Sequence, residues 1–150
     1  MLEPGEEAPT FELPDQHGET VALADFRGQT VVLYFYPRAD TPGCTTEACG
    51  FRDAWAEFEQ RGVPVLGVSN DTVDALAEFV EKYDLPITLL SDEEGGVCEA
   101  YDSFSTDLVG DVAVTAADRN TFVIDEEGRI ERVYEGVDPE GHAEEILADL

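Results

Sequence analysis

Positive charge is scarce in this chain. One lysine, Lys82, and seven arginines stand against 35 aspartates and glutamates, giving a formal net charge of −27 over 150 residues. Nucleic acid and anionic membrane are thereby excluded as default partners, because both repel such a surface. Long apolar runs are lacking as well. No stretch approaches the roughly 20 residues needed to cross a bilayer, and the opening MLEPGEEAPT has neither the basic start nor the apolar run of a secretory signal. A soluble, cytoplasmic chain is expected. Repeats, low-complexity linkers and composition breaks are missing too, so residues 1–150 read as one domain.

What is present supports a folded body. Hydrophobic residues make up 43% of the chain, enough for a core. The acidic residues are spread through all segments rather than gathered in a tail. At low salt a body carrying −27 repels itself, and salt shortens the reach of that repulsion to a Debye length of about 3 Å at 1 M. The composition therefore predicts a protein of a halophile, at home in a high-salt cytoplasm.

Periodicity gives an alternating order of elements. Residues 11–13 and 20–23 flank a turn at 15–18 and predict an N-terminal hairpin. Residues 31–36 (VVLYFY) are apolar throughout, as in a strand covered on both faces. Ala48, Phe51, Trp55 and Phe58 recur at helical steps. Residues 65–68 form a second buried strand, and Val73, Leu76, Val80 and Tyr83 mark a helix opened by Asn70 or Asp71 and closed by Pro86. A third strand over 87–90 and a short helix over 94–101 follow. Residues 122–124 and 130–134 flank a turn and predict an antiparallel pair. Asp138–Pro139 reads as a cap and first residue of a last helix, whose apolar stripe is Ala143, Ile146, Leu147 and Leu150. A βαβ unit followed by ββα gives an α/β chain of thioredoxin-like fold, with a mixed central sheet and helices on both faces. Residues 102–118 match no element.

The three cysteines are Cys44, Cys49 and Cys98. A zinc site is disfavoured, since C-x-x-C is absent and His17 and His142, read as surface residues, lie far off in sequence. Cys44 follows a strand in the run P-R-A-D-T-P-G-C. Thr41 can cap the coming helix and Pro42 can take its first position, which sets Cys44 in the first turn. Unpaired N–H groups and the positive end of the helix dipole there favour thiolate over thiol, and Gly43 leaves room beside the sulfur. Cys49 lies five residues on. Ideal helix geometry separates the two Cα atoms by roughly 8–9 Å and about 140° around the axis, beyond the roughly 7 Å limit for a disulfide. Pairing therefore demands that the first turns unwind. On spacing alone Cys49 and Cys98 read as packing.

FYPRADTPGCTTEACGFRD resembles the active-site segment of peroxiredoxins, in the branch called bacterioferritin comigratory protein or peroxiredoxin Q. Pro37, Thr41 and Cys44 meet the pattern P-x-x-x-T-x-x-C, and Cys49 meets the second cysteine of the branch. RNTFVID carries Arg119, and LLSDEEGGVCEAY is also similar to the branch. The resemblance implies that Cys44 is the peroxidatic cysteine, attacking peroxide as thiolate and becoming sulfenic acid. Arg119 would stabilise the ionised sulfur and the charge on the leaving oxygen. Thr41 would orient the peroxide, Pro37 would shield the pocket, and the N–H groups of Gly43 and Cys44 would hold the second peroxide oxygen. Glu47 reads first as a solvated side chain and second as a tether for Arg119. Cys49 would resolve the sulfenic acid into an intramolecular disulfide, which a thioredoxin or glutaredoxin-like reductant then opens. No haem, flavin or metal cofactor is implied, and the branch suggests a monomer.

The chain departs from the branch in residues 103–118, SFSTDLVGDVAVTAAD, where members carry basic residues and a glycine closer to the arginine. Reductant and peroxide preference are left open by that stretch. Two other readings stand beside the two-cysteine peroxidase. One uses Cys44 alone with an external thiol; the other is a thioredoxin-fold redox sensor or holdase.

Overall fold

The computed structural model describes residues 2–150, with the backbone alone at 107 and 109. Its centre is a five-stranded sheet of order β5-β4-β3-β8-β9. β3 (Val31–Phe35), β4 (Val65–Ser69) and β5 (Thr88–Ser91) run parallel, while β8 (Thr121–Ile124) is antiparallel to both β3 and β9 (Ile130–Tyr134). β1 (Glu12–Pro14) and β2 (Thr20–Ala22) form the expected N-terminal hairpin. The helices are α1 (Pro42–Asp53), α2 (Trp55–Gln60), α3 (Val73–Tyr83), α4 (Gly96–Ala100) and α5 (His142–Asp149). This is the thioredoxin-like arrangement that the order of elements predicts.

The period-2 geometry of β3 sends its side chains alternately into two cores. Val32, Tyr34 and Tyr36 face Cys44, Ala48 and Phe51 of α1, Phe58 of α2, Leu76 and Phe79 of α3, and Ala143, Ile146 and Leu147 of α5. Val31, Leu33 and Phe35 face the other way, toward Cys98, Tyr101, Phe122 and the N-terminal Ala8, Phe11 and Leu13. All five residues of β3 are buried. Each such apolar side chain stabilises the fold by about 1.5–3 kcal/mol relative to exposure. Gly67 on the neighbouring β4 is required by close approach: a Cβ there would stand 2.8 Å from Cζ of Tyr34. Its absence lets the Tyr34 ring lie stacked on Phe51, with centroids 4.7 Å apart.

Several local features differ from the sequence reading. Residues 104–117, which match no predicted element, form a second hairpin of β6 (Phe104–Val109) and β7 (Val112–Ala117), turning at Gly110 with φ +66°. The helix over 73–83 is capped by Thr72, whose hydroxyl accepts from the Ala75 N–H at 3.1 Å, and not by Asn70 or Asp71. Those two side chains tie loops instead: Asn70 bridges the Asp92 carbonyl and the Ala117 N–H, and Asp71 accepts from the Ala39 N–H. The same helix ends at Tyr83, before Pro86, with Asp84 at φ +52°. α5 starts at His142 behind Gly141, three residues later than Asp138–Pro139 suggests, because Gly141 takes φ +77°. Leu150 is exposed and drops out of the stripe. The apolar period from Ala48 to Phe58 is carried by two helices meeting at Ala54.

Candidate active site

The loop between β3 and α1 is staked from α3. Asp40 sits at φ +58°, an unfavourable backbone region for a residue with a side chain. Its carboxylate accepts from Lys82 Nζ at 2.9 Å and from the Tyr83 hydroxyl at 2.8 Å. Alongside, the Ala39 N–H donates to Asp71 Oδ2 at 2.7 Å. The far end of α1 is held by the same helix, since Arg52 Nη1 donates to the Tyr83 carbonyl at 2.8 Å. Within this frame Thr41 takes the extended N-cap conformation and Pro42 the first helical position, which places Cys44 in the first turn as the sequence predicts. Thr41 does not cap through its side chain. Its hydroxyl donates to the Arg38 carbonyl at 2.8 Å, which leaves its oxygen to act as an acceptor.

Arg119 joins the site from the chain entering β8. Its main chain is fixed by Val137 N–H donating to its carbonyl at 2.8 Å. The next residue, Asn120, bonds the Gly136 N–H and the Ser103 hydroxyl. From this anchor Arg119 Nη2 donates to Cys44 Sγ at 3.3 Å, and Nη1 donates to Glu47 Oε1 at 2.8 Å. Cys44 and Glu47 are each 1% exposed. Glu47 is thus a buried hydrogen-bond partner of Arg119 rather than a solvated side chain, because a step of three residues puts it on the face of α1 that carries Cys44, Ala48 and Phe51. Burial pushes its carboxyl up to about 7 against the opposing pull of Arg119. Its second oxygen, Oε2, has no hydrogen-bond partner among the described residues. Burial also works against the charge of Arg119, but Cys44 and Glu47 more than offset it and raise the guanidinium further.

The remaining candidates fall around this centre. The space left by Gly43 is taken up by Arg119: a Cβ there would lie 3.0 Å from Nη2 and 3.7 Å from Cγ of Pro139. Pro37 lies two residues past the end of β3 and is half-buried. Cys49 is half-buried on the same continuous helix as Cys44, and all three cysteines are free. Cys98 is buried, near Asn70 Nδ2, and burial pushes its thiol far above the ordinary range.

Residues 4–133 match the AhpC/TSA family. Peroxiredoxin Bcp of Escherichia coli is 44% identical over 146 residues, covering 97% of this chain and 94% of that protein. The bacterioferritin comigratory protein of Xanthomonas campestris superposes with a TM-score of 0.90 at 32% identity, over 98% of this chain and 96% of that one. Peroxidoxin BcpB of Mycobacterium tuberculosis does so with a TM-score of 0.88 at 37% identity, over 99% and 96%. The chain belongs to the peroxiredoxins. It is of the Bcp/peroxiredoxin Q type and is a thiol-dependent peroxidase, acting on peroxide with a thiol as reductant.

One residue beside Arg119 reverses its sequence reading. His142 is 2% exposed, not on the surface. Nε2 meets the Thr121 hydroxyl at 2.9 Å and Nδ1 meets Glu145 at 3.0 Å, with the rings of Phe51 and Tyr134 edge-on. Burial lowers its pKa although Glu145 opposes the shift. A signal for this existed, since His142 lies four residues before Ile146 on the stripe of α5. His17 is exposed, as expected.

Proposed function

We propose that Cys44 is the peroxidatic cysteine of a two-cysteine thiol peroxidase. The observation that carries this reading is the Arg119 guanidinium, 3.3 Å from Cys44 Sγ in the first turn of α1. The sulfur attacks the peroxide oxygen that becomes the sulfenic hydroxyl, and Arg119 stabilises charge on the oxygen that leaves. Thr41 and the N–H groups of Gly43 and Cys44 hold the peroxide, and Pro37 closes the side of the pocket. With Cys44 only 1% exposed, entry of peroxide involves a small outward movement of the covering turn. Hydrogen peroxide and organic hydroperoxides are both substrates; the alkyl peroxide reduction activity of the Xanthomonas campestris relative supports the second.

Cys49 then condenses with the sulfenic acid, and a thioredoxin or glutaredoxin-like protein reduces the disulfide. Since both cysteines ride one helix, α1 unwinds locally in each cycle. The chain works as one thioredoxin-like domain and as a monomer in the cytoplasm of a halophile; the charge of −27 supports the last point. Mass spectrometry after one equivalent of peroxide tests the assignment. A single bridge between residues 44 and 49 is expected, and oxidation located at Cys98 instead would remove Cys44 from its role. Cys49→Ser separates the two-cysteine cycle from one using an external thiol: turnover with thioredoxin should collapse, and intact turnover refutes the resolving role.

A further inference from the structure

Two acids and one base are packed together behind the first turn of α1. Cys44 and Glu47 are both 1% exposed, and the two terminal nitrogens of Arg119 are divided between them. Among the described residues the other titratable groups facing them are the phenol of Tyr34 on β3 and that of Tyr36 just after it, which burial holds protonated, and His142 across Arg119, where burial favours the uncharged ring. None of these supplies a second cation. If sulfur and carboxylate were both ionised, one guanidinium would face two buried anions, leaving an uncompensated charge in the interior.

The carboxyl geometry indicates where the missing proton resides. An ionised carboxylate in a protein interior normally accepts hydrogen bonds at both oxygens. Among the described residues Glu47 accepts at Oε1 only, and Oε2 is buried without a donor. An unpaired hydroxyl costs less there than half of an unpaired anion. The elevated pKa of the carboxyl, about 7, agrees with this.

We propose that Glu47 holds, in the reduced enzyme, the proton that the departing peroxide oxygen takes up. The inference rests on Cys44 being the attacking nucleophile. A sulfur lone pair forms the S–O bond, and the O–O bond breaks with its electron pair leaving on the distal oxygen. In the same step Arg119 Nη2 gives a proton to that oxygen, yielding water or an alcohol, and the Glu47 carboxyl replaces it at Nη1, so the guanidinium keeps its charge. Sulfur is oxidised by two electrons, and the peroxide is reduced by the same two. The negative charge passes from Sγ to the carboxylate, so Arg119 faces one anion before and after. Glu47 is thus a positioning and proton-holding residue one turn behind the reacting atoms, reprotonated when the thiol is regenerated.

Proton counting tests this in the wild-type enzyme, because condensation of the sulfenic acid with Cys49 releases water and no proton. Weakly buffered enzyme near pH 6 is mixed with one equivalent of hydrogen peroxide, with an indicator dye as one readout and infrared difference spectroscopy as the other. No net proton uptake is expected, together with loss of a carboxylic-acid carbonyl band and gain of carboxylate bands. In Glu47→Gln both infrared changes should vanish, and the rate of Cys44 oxidation should fall by roughly 10- to 100-fold. Uptake of one proton per peroxide reduced in the wild type overturns the proposal. So does zero uptake without the carboxyl signal, which would assign the proton to Cys44 itself. A wild-type enzyme whose Cys44 stays unoxidised refutes instead the reading of the active cysteine.

Discussion

Gly43 gives up its side-chain space to Arg119. A Cβ at residue 43 would stand 3.0 Å from Nη2, tighter than ordinary van der Waals contact, and Nη2 is the atom that meets Cys44 Sγ. Gly43→Ala therefore displaces the guanidinium by a few tenths of an ångström and leaves the backbone of α1 unstrained. The oxidation rate of Cys44 should fall by up to about tenfold, with little change in unfolding temperature. Stopped-flow mixing with hydrogen peroxide and thermal melts check the pair of outcomes; an unaltered rate would dissociate the arginine's position from catalysis.

The clamp on the loop before α1 gives a second expectation. Lys82→Met frees Asp40 from its cation while leaving the Tyr83 hydroxyl in place. Because Asp40 holds an unfavourable φ of +58°, the loop carrying Thr41 then relaxes. Peroxide should react more slowly, Lys82→Arg should restore the rate, and the difference should shrink in high salt, where exposed ion pairs are screened. Rate constants measured at low and at multimolar KCl decide.

Two buried groups impose opposite pH dependences on stability. Glu47 has its pKa raised from an ordinary 4.5 to about 7, so the folded state binds this proton more tightly. The associated stability is fully present below about 4.5 and is lost as pH rises through 7, with an upper bound of about 3.4 kcal/mol. His142 has its pKa lowered from 6.5, so its contribution is present above 6.5 and is lost on acidification. Denaturant unfolding between pH 4 and 8 should show Glu47→Gln removing the first slope and His142→Gln the second. Parallel curves for wild type and variants would contradict both assignments.

Net charge supplies the fourth. With −27 dispersed over the surface, the unfolding temperature should rise as KCl goes from about 0.1 M to about 3 M. Most of the gain should come before the Debye length falls below about 3 Å. A midpoint indifferent to salt would argue against a high-salt origin.

Where the sequence was legible, one periodicity dominated. β3 reads as a strand covered on both faces because no polar residue interrupts it, and α1 starts where Pro42 must start it. Cys44 and Arg119 were legible from their motifs, and the structure brings them together. The structure favours the second reading of Glu47, the tether of Arg119, and overturns the surface reading of His142, because spacing outweighs polarity at both. Both occupy apolar stripes, and one buried partner each is enough to hold them there. The β6–β7 hairpin was missed although Gly110–Asp111 is a two-residue turn signal, because alanine, serine and threonine give weak alternation. Thr72 lost to Asn70 and Asp71 as the expected cap because three capping residue types stand close together in the chain, and only tertiary bonds show which is free to cap.

Tyr83 touches both ends of the segment that bears the two thiols: its hydroxyl takes Asp40 and its carbonyl takes Arg52. The proposed pairing of residues 44 and 49 therefore requires that whatever travels does so between two pegs on a single neighbour. A spectroscopic probe placed on α3 should therefore stay silent through the catalytic round, while one at Thr46 reports every stroke.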